Sequence, residues 1–379
     1  MNSHNLSKRL GDVRELAQLS QTDLAKRLGV SPSLVSHWES GTRVPSQLQL
    51  MELARAFGVA LDYLLNAEVS ARFQFRAKAT LKTEQRQQVE RVLKDASEQV
   101  YFIDVVLRAA GKNLKPFGLK ADFSYDQLTN LAAQFREALR LNRRVTLGEL
   151  KEALAEWNVF VFEWAMPVCI SGMSYRGSTT VIFINALHTR ERKLFTLAHE
   201  FAHVLFHLGR DSKEALGRDS KDTMVSVIAS NRDPVEKEAN QFASELLMAS
   251  AEIDGIVKDW GNAALRQRVV LGMAARTFNV SVDAMFYRLA GRGVFRWEEK
   301  KKYIPGPPKE ETVPEFRVNK PEEQVSKEFL HTAISLHERE KASAGKVAEW
   351  LFAPRIKVEG YLADLGREQE NGIGGGEDE

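Results

Sequence analysis

Two histidines and a glutamate in the run FTLAHEFAHVLFH are the residues best placed to do chemistry. His199 and His203 are four positions apart. On an α-helix such positions share a face, ~40° apart and ~6 Å along the axis. Two imidazoles so placed can converge on one Zn²⁺ at ~2.0–2.1 Å. Glu200, the residue after His199, is rotated by ~100° and is too short to ligate comfortably beside them. It points instead toward the attacking water, where a carboxylate can take a proton. The pattern predicts a catalytic-type zinc site, with Glu200 as its base.

Such a site needs a third protein ligand. His207 is four residues further on, but a straight helix rises ~12 Å over eight residues, so the three histidines cannot share one ion. His207 is expected either beside a ligand, or facing a substrate oxyanion, or in core or surface. The run PVEKEANQFASELLMAS offers Glu236, Glu238 and Glu245 on a second helix. Glu238 comes first, because small Ala239 allows close approach. Glu245 either ligates or orients a ligating histidine.

A second constellation lies near the N-terminus, in QTDLAKRLGVSPSLVSHWESGTRVPS. Ser20 can cap a helix starting at Gln21, Gly29 ends it, and Ser31 caps a second helix with Pro32 in its first turn. Leu24, Ala25, Leu28, Val30, Val35 and Trp38 form the expected packing. Two short helices joined this way free the second to enter a major groove. Gln21, Ser31, Ser33, Ser36 and His37 offer hydrogen-bonding groups to base edges or phosphates. Lys26 and Arg43 can neutralise phosphate. The pattern resembles the Xre or phage-repressor family over about residues 6–65, which implies a double-stranded DNA operator as partner and, by two-fold operators, a homodimer.

The elements that must position these residues follow from periodicity. Helical spacing fills residues 1–68, the first domain. A connector at 69–110 holds a short extended piece (71–77) and a helix from about Thr83. Helices are expected at 125–141 and 146–157. Short β-branched or aromatic runs at Val159–Trp164, Val168–Met173 and Thr179–Ile184 read as two or three strands. One helix spans Arg190 to Leu208, capped by Thr189 and stopped by Gly209, and a polar loop covers 210–222. Further helices are expected at 234–248, 250–259 and 263–276. The proline-rich 297–322 reads as a linker and 323–379 as a helical tail with a disordered acidic end from Asn371. No internal repeat is visible. The fold class is mainly α with a small β-sheet (α+β).

The stretch from Val168 to Met248 resembles the ImmA/IrrE family of zinc metallopeptidases, on Asn185, the FTLAHEFAHVLFH run and EANQFASELLM. The resemblance implies a zincin-like core at 111–260 and a zinc ion held by His199, His203 and Glu238, with Glu200 as catalytic base. Residues 274–289 resemble the small helical unit that follows this core in the family, placed here at 261–296 as a helix-turn-helix-like unit. The resemblance implies an endopeptidase that cleaves a helix-turn-helix repressor and derepresses stress-response or mobile-element genes. A repressor-like domain on the same chain leaves the substrate open among a partner repressor, a toxin or antitoxin, and the chain's own linker. The other readings are a DNA-binding regulator or antitoxin whose zinc domain is a sensor or platform, and a protease with a helix-turn-helix kept for dimerising.

Composition sets bounds. Of 379 residues, 44% are hydrophobic and 27% charged, and the net charge is +2, so any nucleic-acid binding must come from a local surface. The single cysteine, Cys169, allows no disulfide framework or cysteine zinc cage. No signal peptide and no ~20-residue apolar span are visible, and a soluble cytoplasmic protein is expected.

Overall fold

The computed structural model describes residues 3–16, 19–57, scattered positions between 88 and 110, 127–208 (save 168 and 178), 223–227, 233–304, and 325–373 save four positions. The chain divides into two units. One comprises Met1–Arg72, Lys94–Leu114 and Glu328–Glu379; the other comprises Phe73–Leu93 and Lys115–Lys327.

In the first unit, α1 (Ser3–Leu16), α2 (Gln21–Leu28), α3 (Pro32–Glu39) and α4 (Gln47–Phe57) enclose Leu10, Leu24, Ala25, Val35, Trp38, Leu50 and Leu53. Leu28 and Val30 pack against this core half-buried. The local chemistry is as the residue types dictate. The Ser20 hydroxyl accepts from the Asp23 amide while Asp23 reaches back to the Ser20 amide, a reciprocal cap. Gly29 takes φ +64°, a left-handed angle that costs an L side chain energy. The end of the first domain, residues 58–68, and the extended piece expected at 71–77 fall on residues outside those described. Described positions between 88 and 107 are helical.

The second unit is α+β. It opens with α5 (Leu128–Ala138) and α6 (Leu147–Ala155), then β1 (Val159–Trp164), β2 (Ile170–Arg176) and β3 (Thr180–Asn185). A fourth strand, β4 (Thr223–Val227), completes a sheet of order β1-β3-β2-β4. β3 is buried along its whole length and pairs parallel with β1 and antiparallel with β2. β4 was not foreseen; five residues beside a polar loop give little periodicity. Against the sheet packs α7 (Arg190–Ala202), capped by the Thr189 hydroxyl as expected. Then come α8 (Pro234–Leu247), α9 (Ser250–Leu265), α10 (Arg268–Thr277) and α11 (Val282–Ala290).

Several elements depart from expectation. The helix expected to run to Leu208 ends as an α-helix at Ala202, and His203–His207 widens into a π turn in which the Leu208 amide reaches the His203 carbonyl at 3.0 Å. The break expected between 259 and 263 is present, at Gly261 with φ +75°, but the helix expected over 263–276 is divided at Arg266 and Gln267, so that its first turn ends α9 at Leu265 and the rest forms α10. Residues 297–304, expected within the linker, form a 3₁₀ turn and a helical turn α12 (Lys300–Tyr303), because Tyr303 is buried against Phe286 and Phe295. In the tail, α13 (Lys327–Glu338), α14 (Ala344–Trp350) and α15 (Arg355–Ile373) follow. Asn371–Ile373, expected to be disordered, continue α15.

The unit expected to be helix-turn-helix-like at 261–296 shares one turn with the first domain, although no internal repeat is visible in the sequence. The turn from α10 to α11 copies the turn from α2 to α3. Val30 N–H reaches the Ala25 carbonyl at 3.0 Å, and Val280 N–H reaches the Ala275 carbonyl at 3.1 Å. Asn279 takes φ +54° where Gly29 takes +64°. Ser281 caps α11 as Ser31 caps α3. Asn in place of Gly, and different apolar side chains around the same turn, conceal the likeness. Arg288 of α11 turns inward, making a paired bond to the Glu245 carboxylate at 2.7 and 2.6 Å.

Candidate functional site

α7 and α8 build the candidate site. Phe201 on α7, Phe206 on the π turn and Phe242 on α8 join Phe135 of α5 in a buried cluster. Phe135 meets Phe201 edge-on with ring centroids 5.7 Å apart, and Phe206 meets Phe242 at 5.1 Å. Burying such rings contributes ~1.5–3 kcal/mol each, and edge-to-face pairs add to that. This packing sets the separation and rotation of the two helices.

On that frame the Nε2 atoms of His199 and His203 stand 3.0 Å apart. A carboxylate of α8 closes on them: Glu236 places one oxygen 3.1 Å from His199 Nε2 and the other 3.7 Å from His203 Nε2. One donor atom from each of the three lies within 4.8 Å of the others. The expectation that Glu238 completes this group is corrected by the geometry. Glu238 faces His207 instead, with Oε2 3.0 Å from His207 Nε2. Positions 236 and 238 point roughly 160° apart around a helix, so one rotation of α8 cannot bring both to the same histidines. Glu245 does not reach the histidines' neighbourhood as a bonding partner either. Arg288, Ser250 and Thr129 hold its carboxylate.

The surroundings suit a cation. His199 Nδ1–H donates to Asn240 Oδ1 at 3.0 Å, so the neutral ring presents Nε2 to the cluster as its lone-pair atom, and a second proton on Nε2 would be held by Glu236. Burial pushes the His199 imidazole toward a lower pKa. Its bond to Glu236, the charges of Glu200 and Glu236, and Asn240 outweigh that, and the pKa stands above the ordinary 6.5. A positive charge at this nitrogen is therefore favoured. Two imidazole nitrogens and one carboxylate are a donor set that Zn²⁺ accepts with a fourth position left open.

Glu200 is fully buried. The Ser174 hydroxyl donates to its Oε2 at 2.8 Å. Gly172, on the same strand, makes room for it: a Cβ there would lie 2.8 Å from Glu200 Cγ and Oε1. The π turn is held by Arg176, whose guanidinium donates to the Val204 carbonyl at 2.7 Å and the Leu208 carbonyl at 3.3 Å. Asn185 gives its amide to the carbonyls of Met166, Pro167 and Ile170, fixing the β1–β2 connection. Sequence reasoning missed Gly172, Ser174, Arg176 and Asn240, and it named Glu236 as a candidate but ranked Glu238 above it. Glu236 and Asn240, four apart on the same side of α8, were the available signal.

On the first unit, Ser33, Ser36 and His37 are exposed on α3, and Lys26 and Arg43 are exposed nearby. Ser31 spends its hydroxyl on the cap, accepting from the Leu34 amide at 3.3 Å. Gln21 is bound to Glu39 at 2.8 Å, and Arg14 grips the same carboxylate at 2.6 and 3.0 Å. Glu39 is a residue the sequence did not single out.

Comparison with known proteins agrees with both halves. Residues 161–290 match the IrrE N-terminal-like domain, Peptidase_M78, and residues 10–64 match the helix-turn-helix family. A helix-turn-helix transcriptional regulator of Bacillus subtilis, YqaE, is 34% identical over 82 residues, covering 21% of this chain and 67% of that protein. Multiprotein-bridging factor 1 of Debaryomyces hansenii is 37% identical over 57 residues, covering 15% of this chain and 38% of the relative. A helix-turn-helix regulator of Archaeoglobus fulgidus is 34% identical over 73 residues, 19% of this chain and 31% of that one. The chain thus spans about a third of the last two relatives. No solved structure matches the chain. Among the described residues no single helix is long and apolar enough to cross a membrane. The chain belongs to the helix-turn-helix transcription regulators, with that domain fused to an ImmA/IrrE-like domain.

Proposed function

We propose that this regulator carries a zinc-dependent endopeptidase that cleaves a repressor-type protein and so relieves repression of genes whose operators its first unit binds. The observation that carries the reading is the convergence of His199, His203 and Glu236 within 4.8 Å, beside the buried Glu200. His199, His203 and Glu236 would hold the ion. When bound, zinc supplies Lewis acidity, acidifying water and polarising a carbonyl. Glu200 takes the proton of the attacking water and passes it to the leaving amine. Ser174 keeps that carboxylate aimed by its bond to Oε2. Asn240 holds His199 with its Nε2 lone pair inward. A site built only for structural zinc has no need of a buried acid beside the ligands.

The test is zinc content together with cleavage of repressors encoded beside this gene, for wild type and Glu200→Gln. Both proteins are expected to bind zinc, and only wild type to cleave. Zinc in both with cleavage by neither sinks the peptidase and leaves a sensor or binding platform.

A further inference from the structure

Three polar side chains run in line outward from the cluster. His203 Nδ1 lies 2.8 Å from His207 Nδ1, and His207 Nε2 lies 3.0 Å from Glu238 Oε2. His203 is fully buried, and the side chains of His207 and Glu238 are 8% and 30% exposed. An ionised carboxylate only accepts hydrogen bonds. Glu238 therefore requires the proton of neutral His207 to sit on Nε2. That leaves His207 Nδ1 as an acceptor, and the atom facing it, His203 Nδ1, must carry a proton and donate. The Nε2 of His203 is then bare of hydrogen, and this is the atom that stands 3.0 Å from His199 Nε2. One charge at the end of the line fixes the tautomer of a buried ring two side chains away.

We propose that Glu238 and His207 are positioning residues that lock His203 into the metal-ligating tautomer. Building on the zinc reading of His199, His203 and Glu236, the proposal gives a role to the two residues which that triad excludes. The π turn makes the line possible. By widening His203–His207 it turns the His207 ring so that its Nδ1, and not its edge carbons, meets the His203 ring, with centroids 4.9 Å apart. Arg176 holds that turn through the Val204 carbonyl.

The order of donors and acceptors makes the proposal testable apart from catalysis. The full chain is stripped of metal and titrated with zinc against a competing chelator, and the histidine ring nitrogens of the metal-free chain are read by long-range proton–nitrogen spectra. His207→Phe and Glu238→Leu remove the line; His207→Gln and Glu238→Gln keep an acceptor at each point where one is needed. The first pair is expected to weaken zinc binding by roughly 10–100-fold, and the second pair to stay within about threefold of wild type. In the spectra, His203 is expected as the Nδ1-protonated form in wild type and as a mixture in Glu238→Leu. Wild-type zinc affinity in both disrupting variants, or an unchanged His203 signal, overturns the proposal. If wild type takes up no zinc, the metal reading falls by itself, and the His203 signal still decides the line.

Discussion

Gly172 and Glu200 meet where β2 crosses α7: a Cβ on Gly172 would lie 2.8 Å from the glutamate's Cγ and Oε1. The strand can approach the helix closely only because it carries a hydrogen at this point, and the same approach lets Ser174, two residues on, reach Glu200 Oε2 at 2.8 Å. Gly172→Ala is expected to destabilise the protein by ~1–3 kcal/mol through overpacking, and Ser174→Ala by ~1.5–3 kcal/mol through loss of a bond to a charged group. Chemical denaturation of the three proteins checks both. Unaltered stability in Gly172→Ala would show that the strand has room to move.

Glu236→Ala is expected to cost more zinc affinity than the roughly 10–100-fold typical of an outer partner. Equilibrium titration of the metal-free protein reads it. An affinity equal to wild type would return the third ligand to another residue.

Phe242→Ala should lower stability by ~3–5 kcal/mol, and should also weaken zinc binding in the fraction that remains folded. The ring touches Phe135, Phe201 and Phe206, so its loss frees α8 to shift against α7. A loss of stability with zinc affinity intact would mean that α8 is held by other contacts.

Glu245 makes stability depend on acid. Its burial raises the carboxyl pKa, but the bonds and charge of Arg288, with Ser250 and Thr129, outweigh this and hold it below the ordinary 4.5. A depressed folded-state value means that the unfolded chain binds the proton more readily. The stabilisation is therefore complete above 4.5 and fades as pH falls through the lower folded value. Glu245→Gln leaves Arg288 buried without its counter-charge, a loss expected at ~3–5 kcal/mol near neutrality. Denaturation midpoints from pH 7 downward should show the gap between variant and wild type closing in acid. A gap that stays constant would contradict the assignment.

For the helix-turn-helix, Arg43→Ala is expected to weaken operator binding evenly across sequences and to reduce the salt dependence by about one counterion. Ser36→Ala or His37→Ala should instead alter sequence preference, since both are exposed on α3. Binding measured on operator and scrambled DNA at several salt concentrations separates the two effects. An Arg43→Ala protein with wild-type salt dependence would place the phosphate contacts elsewhere.

The sequence by itself determined what is local. Spacing of four put His199 and His203 on one face, and capping chemistry set Ser20, Gly29, Ser31 and Thr189 at their helix ends. Each depends only on neighbours along the chain, where backbone geometry is nearly fixed. Tertiary structure decided which face meets which. Ala239, Phe242, Ala243 and Leu246 form the buried stripe of α8, and Glu236 and Glu238 flank it on opposite sides. Periodicity cannot choose between two flanks; the fit of Phe242 among Phe135, Phe201 and Phe206 does. That fit brings Glu236 to the two histidines and leaves Glu238 to His207. The π turn at His203 and the passage beside Gly172 are of the same kind: they arise from a guanidinium and a glutamate that lie far away in sequence and close in space.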